Sequence, residues 1–491
     1  MTVEALDSPA RAGRTPRPRS QPRIWRAARA RRRPASRARA SRPKGRSDLF
    51  TRVRRAVWTW WAWGAAAVAM AARGHWGWAA ARAGVATVAR LLEPRAWPPR
   101  FGLDCDVAVA SPEFLATLAG ATGAPFVAGN SFELLHNGDA FYPRMLDDIR
   151  RARASICIEA YIYWAGEVGR QFAEALAERA RAGVPVMILL DAVGAADIGD
   201  DIIAVLDTAG CRIAWYNPLA LRTIGNYNNR THRKSLILDG AIAYTGGAGI
   251  ADHWRGDARG PDQWRDVQVR FCGPAAAGLQ SGFAHNWQRT NSELVSGALY
   301  FPTVQPSGPH ALQVVLSSPE TGGSNVQTLY YLAIAGARHT IEIANPYFVP
   351  DEVALDVLVE AARRGVRVRV MVSGRRNDNW LARQNGISRY GRLLAAGIEI
   401  LEYNRSMLHH KVMVVDGQWL TVGTTNFDNR SFAHNEESNL TLFDRTQAEA
   451  FVAVFERDTA ACARVELDAW RRRGLWPRTQ EAVARLFEDQ V

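Results

Sequence analysis

The sequence predicts an α/β protein made of two tandem copies of one domain, each a mixed sheet flanked by helices, packed about a pseudo-twofold axis. Three observations carry that expectation. The pattern H-x-K-x4-D occurs at His232, Lys234 and Asp239 and again, 177 residues on, at His409, Lys411 and Asp416. Each copy follows the same succession of apolar strand, amphipathic helix and apolar strand, which at this spacing means a βαβ unit in a mostly parallel sheet. The offsets nearly agree, with 183 residues from Ile158 to Ile341 and 182 from Gly183 to Gly365, so the repeat is a duplicated domain and not a solenoid.

Residues 1–55 mix Arg with Pro, Ser and Ala. Eighteen basic residues stand against three acidic ones up to Ala56, so of the chain's net charge of +13 the tail carries +15 and the remainder −2. Such a segment cannot bury enough apolar surface to offset its ordering entropy and is expected to be disordered, with adhesion to lipid headgroups or nucleic acid as its functional reading. Val57 to Ala72 is uncharged, and Trp58, Trp60, Trp61, Trp63, Trp76 and Trp78 cluster around it. As a helix this stretch spans ~24 Å, short of the ~30 Å hydrocarbon core. Tryptophans and flanking arginines favour a membrane-associating helical segment over 56–92, interfacial or marginally inserted. It lacks the form of a secretory signal, since no small-residue cleavage site follows and the basic run before it is too long.

Proline-rich Leu92 to Pro99 opens a linker expected to run over 93–127. The first domain is placed at 128–298. It has a strand over Ser131 to His136, a turn at Asn137-Gly138-Asp139 and a helix over Met145 to Ala154. A strand over Ser155 to Tyr163, a helix over Gly169 to Ala182 and a strand over Val184 to Val193 follow. The second domain, at 310–470, repeats the plan with Thr340 to Val349, Val353 to Arg364 and Val366 to Ser373, and Pro302, Pro306 and Pro309 lie between the halves. Residues 471–491 read as a C-terminal helix. Five scattered cysteines without C-x-x-C spacing argue against a disulfide framework or a zinc site.

In each motif His and Lys are two apart at the start of an apolar run, so a strand's period of two turns both to one face. Asp239-Gly240 and Asp416-Gly417 are hairpin dipeptides leading into Ala241 to Thr245 and Gln418 to Val422. Only three lysines occur, Lys44, Lys234 and Lys411, so a chain that otherwise uses Arg has kept a compact point charge in both motifs. If the halves meet at these faces, two imidazoles and two ammonium groups converge on a pocket suited to a phosphodiester. One imidazole attacks phosphorus, the other protonates the leaving alkoxide, and the cations offset the non-bridging oxygens. His410 faces the other way and is not expected to be catalytic.

The two motifs, with Gly246-Gly247 after the first and Gly423-Thr424-Thr425-Asn426-Phe427-Asp428-Asn429-Arg430-Ser431 after the second, resemble the phospholipase D superfamily. Asn345-Pro346-Tyr347-Phe348-Val349-Pro350-Asp351, Trp264-Arg265-Asp266 and Asn435-Glu436-Glu437 are similar to its bacterial cardiolipin synthases. The resemblance covers residues 128–470 and implies a metal-independent reaction in two steps without a cofactor. It makes His232 the nucleophile that forms a phosphohistidine and His409 the general acid and then base. Lys234 and Lys411 would hold the phosphate, with Asn426, Thr424, Gly246 and Gly247 as further phosphate-binding positions. Asp266 and Glu437 match carboxylates that orient the histidines. The catalytic set is thus the two whole motifs, within which Asp239 and Asp416 are expected to brace the hairpins. Gly249 departs from the pattern, standing where relatives carry the counterpart of Asn426, so backbone amides of Gly246 to Gly249 could bind phosphate instead.

The expected activity is phosphatidyl transfer from phosphatidylglycerol to a second lipid alcohol, giving cardiolipin. The alternatives are hydrolysis to phosphatidic acid and, with less support, a phosphodiesterase or nuclease. A Trp-rich segment suits lipid substrates, whereas a nuclease is expected to carry positive charge on its catalytic body, which here sums to about −2. The expected partner is therefore an anionic phospholipid membrane and not nucleic acid. The expected location is the bacterial cytoplasmic membrane, peripheral or monotopic, with the catalytic body on the cytoplasmic side.

Overall fold

The computed structural model describes residues 60–92, 107–218, 228–319 and 324–490. The expected disordered tail and Val57 to Thr59 lie outside them, as does most of the Leu92 to Pro99 linker. The rest of the Trp-rich segment forms two helices, α1 (Trp60–Ala71) and α2 (Trp76–Leu92), which pack on one another across a turn at Arg73-Gly74-His75. Alanines make the seam, with Ala67, Ala79 and Ala86 buried, while Trp76 and Trp78 are 71% and 66% exposed. Among the described residues no helix is long and apolar enough to cross a membrane.

Part of the expected linker is structured. Helix α3 (Pro112–Thr122) occupies it, because Ser111-Pro112 starts a helix and Gly123, at φ 65°, ends it. Phe114 and Leu118 of α3 are fully buried in the core of the second half. The first half then runs β1 (Phe126–His136), α4 (Gly138–Arg151), β2 (Ile156–Ala160), α5 (Glu167–Arg181), β3 (Val186–Asp191), α6 (Asp200–Thr208), β4 (Arg212–Tyr216), β5 (Arg230–Thr231), β6 (Ser235–Leu238), β7 (Ile242–Gly246), β8 (Val267–Cys272) and α7 (Ala276–Asn291). The second half runs β9 (His310–Ser317), α8 (Asn325–Gly336), β10 (Thr340–Ala344), α9 (Glu352–Arg363), β11 (Arg367–Ser373), α10 (Trp380–Ala395), β12 (Glu399–Tyr403), β13 (Val412–Val415), β14 (Trp419–Gly423), α11 (Asn429–Ala433), β15 (Asn435–Phe443) and α12 (Arg445–Thr459). A short strand β16 (Cys462–Arg464) and helices α13 (Leu467–Arg471) and α14 (Leu475–Ala484) follow, so the single expected C-terminal helix is a broken one.

The strands join into one sheet ordered β16-β12-β11-β10-β13-β14-β15-β9-β1-β8-β7-β6-β2-β3-β4. Read outward from the central antiparallel pair β1 and β9, the two arms list corresponding strands in the same order, which is the pseudo-twofold relation drawn in hydrogen bonds. Within each arm the βαβ strands are parallel and the motif hairpin is antiparallel. Strands β2 and β3 read Ile-Cys-Ile-Glu-Ala and Val-Met-Ile-Leu-Leu-Asp and are buried throughout, as continuous apolar runs between helical layers must be. Each buried Ile, Leu or Val there contributes ~1.5–3 kcal/mol. Several helices begin at a side-chain cap, with Asp351 accepting from the Ala354 N–H, Asn379 from Ala382 and Asp444 from Gln447.

The register of the repeat differs by two residues from the sequence alignment. Ile156 faces Leu238, and Ile341 faces Val415, so the true offset in these strands is 185 and Ile341 corresponds to Ile156, not Ile158. Both apolar runs alternate Ile at every second position, and a shift of two leaves a strand's burial pattern unchanged.

Candidate active site

The two halves exchange backbone where the motifs meet. Strand β5 pairs with the start of β15 in parallel, Thr231 opposite Glu436, and the pseudo-twofold mate of this contact is the bridge between Leu408 and Arg265. The next residues are therefore brought together by the backbone itself. His232 N–H donates to Glu436 O at 2.9 Å and His409 N–H to Arg265 O at 2.7 Å.

Each imidazole is consequently held by a carboxylate of the other half. His232 Nδ1 lies 3.0 and 3.1 Å from the two carboxylate oxygens of Glu437, and His409 Nδ1 lies 2.8 Å from Asp266 Oδ2. A carboxylate on Nδ1 sets the tautomer with the proton there and leaves Nε2 as the reactive lone pair. The lysines sit beside them. Lys234 Nζ donates to His232 O at 2.9 Å, and Lys411 Nζ donates to His409 O at 2.9 Å and to His409 Nε2 at 2.9 Å. His232, Lys234, His409, Lys411, Asp266 and Glu437 are all buried.

Burial governs the electrostatics. It pulls the His232 imidazole down to about 4, against the upward pull of Glu437, and takes His409 well below its usual value with Lys411 and Lys234 adding to the effect. The ammonium groups are lowered too, Lys234 to about 8 and Lys411 to about 7, again by burial first. Asp266 is pushed up to about 7 by burial, whereas Glu437, despite burial, stays below the usual carboxylate range because His232, Thr424 and Lys234 favour its anion. A phosphodiester entering this pocket brings the negative charge that two crowded cations lack.

The residues around the carboxylates differ between halves. Thr424 donates its hydroxyl to Glu437 Oε2 at 2.5 Å. Its counterpart is Gly247, where a Cβ would stand 2.2 Å from Asp266 Oδ1 and 2.6 Å from His409 O, so no side chain fits. There Asp266 Oδ2 accepts from Trp254 Nε1 at 2.9 Å instead. Gly249 is crowded by Ile162 first and by the same tryptophan next, since a Cβ at that position would lie 2.8 Å from Ile162 Cβ, 3.0 Å from Ile162 O and 3.1 Å from Trp254 Cζ3.

The groups expected to bind phosphate are placed as follows. Gly247 N–H is already donated to Val267 O at 3.2 Å, Gly246 belongs to β7, and Thr424 supports Glu437. The Gly247 amide is thus taken, whereas among the described residues no hydrogen bond engages the N–H of Ala248 or Gly249. Asn426 is different, since its side-chain Oδ1 is buried without a hydrogen-bond partner among the described residues. Asp239 and Asp416 lie at the far end of the β6 and β13 strands from the histidines. Asp239 accepts from the N–H groups of Arg153, Ala154 and Ser155, and Asp416 from those of Arg338, His339 and Thr340. With φ of 54° and 53°, and the following glycines at 62° and 60°, both aspartates form the tight turn while tying it to the loop before β2 or β10. Among the described residues neither carboxylate bonds to a pocket group; each braces its hairpin.

His410 is buried away from the pocket, its ring 5.8 Å from that of Phe451. Its counterpart, Arg233, pairs with Glu436 at 2.7 Å and so fixes the strand carrying Glu437. Aromatic rings wall the histidines. Tyr161 stands 5.2 Å from His232, and Trp254, Trp264 and Tyr347 stand 5.4, 5.3 and 6.5 Å from His409, ring centre to ring centre. Sequence reasoning missed Trp254 and Tyr161. The glycine at 249 was the available signal for Trp254, because a missing side chain in a buried pocket implies that another group occupies its volume.

A family profile described as "Cardiolipin synthase, PLD-like domain" matches residues 145–253 and 331–459, one stretch in each half. The chain is 32% identical over 367 residues to the Major cardiolipin synthase ClsA of Bacillus subtilis (strain 168), covering 74% of this chain and 76% of that one. It is 31% identical over 364 residues to Cardiolipin synthase 2 of Staphylococcus epidermidis (strain ATCC 35984 / DSM 28319 / BCRC 17069 / CCUG 31568 / BM 3577 / RP62A), covering 73% and 74%. Among solved structures, phosphatidylserine synthase of Haemophilus influenzae Rd KW20 superposes with a TM-score of 0.58 at 13% identity, over 76% of this chain and 97% of that one, a likeness of fold.

Proposed function

The chain belongs to the cardiolipin synthase family of phospholipase D-like enzymes, and from that premise we propose that it makes cardiolipin by transferring a phosphatidyl group between two molecules of phosphatidylglycerol. The observation that supports this reading is the pair of buried imidazoles, each held at Nδ1 by a carboxylate of the opposite half, with an ammonium beside each. In the first step His409 takes up a proton at Nε2 as the anionic diester binds beside the two ammonium groups, His232 Nε2 attacks phosphorus, the bond from phosphorus to the glycerol oxygen breaks, and His409 gives that Nε2 proton to the departing alkoxide. In the second step His409 takes the proton of a lipid hydroxyl whose oxygen attacks phosphorus, and the P–N bond returns its electrons to His232. Lys234, Lys411 and Asn426 hold the non-bridging oxygens. A diester is exchanged for a diester, so these residues suffice without an energy donor.

His232 is assigned as nucleophile because its Nε2 has no partner among the described residues, whereas His409 Nε2 receives Lys411 Nζ. The α1–α2 hairpin, with its exposed Trp76 and Trp78, would rest in the interfacial layer of the bacterial cytoplasmic membrane and keep the pocket near its substrate.

Two measurements test this. Wild type incubated with phosphatidylglycerol vesicles in chelator is expected to yield cardiolipin and free glycerol; phosphatidic acid alone would make the enzyme a hydrolase. With a donor whose leaving group needs no protonation, such as a p-nitrophenyl phosphodiester, His409→Ala is expected to accumulate an acid-labile phosphoenzyme at position 232. No adduct in His409→Ala, or an adduct in His232→Ala, removes the assignment.

A further inference from the structure

We propose that the segment Gly374 to Trp380, on the second-half rim of the pocket, docks the headgroup phosphate of the acceptor lipid, with Arg375 and Arg376 as its cations. The inference rests on the transferase reading above and deepens it by giving the second substrate a place.

The segment is tied to the general base. Strand β11 runs parallel to β10, so both chains leave the sheet on the same side, β10 into Asn345-Pro346-Tyr347 and β11 into this segment. Tyr347 stands 6.5 Å from His409 and donates its hydroxyl to the carboxylate of Asp378. The acceptor hydroxyl must reach His409, so its own phosphate has to lie within a headgroup's length of this rim.

The base of the segment is tied down by hydrogen bonds, its Asp378 is held by Tyr347, and its two arginines are free. Gly374 N–H donates to Tyr403 O at 2.9 Å, its carbonyl accepts from Arg383 Nε at 2.8 Å, and a Cβ there would lie 2.3 Å from Asn404 Oδ1. The Arg375 N–H donates to Asn404 Oδ1 at 3.0 Å. Arg375 and Arg376 themselves are exposed, and among the described residues neither guanidinium has a hydrogen bond or ion pair. Arg383 and Arg230, by contrast, are engaged, with Glu402 and Asp191. A pair of unengaged guanidinium groups matches a phosphodiester, which takes charge-assisted bonds from planar forks. Trp380, 46% exposed, adds a ring of the kind that settles at the boundary of headgroups and chains.

The first half lacks the device. The corresponding segment after β3, Ala192 to Gly199, has Asp197 as its one charge, and its turn is closed by Asp191 accepting from the Val193 and Gly194 N–H groups. Among the described residues, the segment after β11 is thus basic and its counterpart after β3 is not. That asymmetry suits a reaction in which the donor is held by the paired motifs, while the acceptor is a second anion that must approach an already phosphorylated pocket.

The test is a competition for one phosphohistidine. Wild type, the Arg375→Gln/Arg376→Gln double variant and an Arg150→Gln/Arg170→Gln control of equal charge change, its arginines exposed on α4 and α5, are given phosphatidylglycerol vesicles with butanol. Butanol carries no phosphate. The double variant is expected to raise the ratio of phosphatidylbutanol to cardiolipin about fivefold, with a higher apparent KM for phosphatidylglycerol in cardiolipin formation, while the control keeps the wild-type ratio. An unchanged ratio in the double variant, or an equal rise in the control, overturns the rim site alone. A wild type that turns over phosphatidylglycerol without making cardiolipin overturns the transferase reading and the rim site with it.

Discussion

At the scale of single residues, two lysines in an arginine-rich chain set the working range of the pocket. Arg stays charged at any relevant pH, but a buried ammonium does not. Burial brings Lys411 to about 7 and Lys234 to about 8, both lowered from an ordinary value near 10.5. Lowered values mean the cations are present below pH 7 and are lost as pH rises through 7 to 8. The profile of kcat/KM, which reports the free enzyme, is therefore expected to fall on its alkaline side in that interval. A profile flat to pH 9.5 would show that the lysines keep ordinary values. Gly249 offers a second residue-scale prediction. Restoring the symmetric asparagine by Gly249→Asn forces a side chain against Ile162 and Trp254, whose indole holds Asp266. Overpacking of this kind costs ~1–3 kcal/mol, so the thermal midpoint should drop and activity with it. A stable, fully active variant would mean that the first half has room for the second phosphate-binding amide after all. Glu437→Gln leaves the shape but not the charge on His232 Nδ1, and kcat should fall on the order of 10²–10⁴-fold, measured on protein shown by circular dichroism to be folded.

At the scale of elements, the hairpins are where pattern and structure agree best. Asp-Gly after an apolar run demanded a turn with two residues at positive φ, and both copies have it. The aspartates do more than turn the chain, since each carboxylate gathers three N–H groups from the loop before the adjoining strand. Asp416→Ala is expected to cost ~2–4 kcal/mol and Asp416→Asn roughly half of that, read from denaturant unfolding, with the pH profile of the folded enzyme unchanged. A variant of wild-type stability would reduce the motif's aspartate to turn chemistry alone. The strands of both βαβ units were legible because buried runs such as Val-Met-Ile-Leu-Leu-Asp have few other uses. Their register was not, because a shift of two preserves every burial choice that Ile156, Ile158 and Ile341 express. Helix α3 was hidden by the prolines ahead of it, and its tertiary partners, including Leu329 and Ile334, lie some two hundred residues away. The candidate site was legible in its histidines, lysines and carboxylates, which the structure brings together, and not in the groups packed around them. His, Lys and carboxylate types announce chemistry, whereas Trp254 acts through volume and one N–H, and neither leaves a spacing to read.

At the scale of the whole molecule, duplication has made neither half sufficient. The sheet passes without interruption through the β1–β9 pair, and beyond it each motif histidine waits for a carboxylate from across the axis, His232 for Glu437 and His409 for Asp266. The backbone bridges Thr231 to Glu436 and Leu408 to Arg265 fix this exchange inside one chain. In the mechanism proposed above both histidines act on one phosphorus, and no second chain needs to contribute. Mixing His232→Ala with His409→Ala should therefore restore no cardiolipin formation, even at concentrations where any association of chains would be complete, because every pocket lacks either its nucleophile or its acid. Activity returning toward a quarter or half of wild type would place the two imidazoles on different chains and refute the intramolecular pocket. Each single variant alone supplies the baseline, and the mixture is informative because two folded, inactive chains can differ from their average only if a pocket is shared between them.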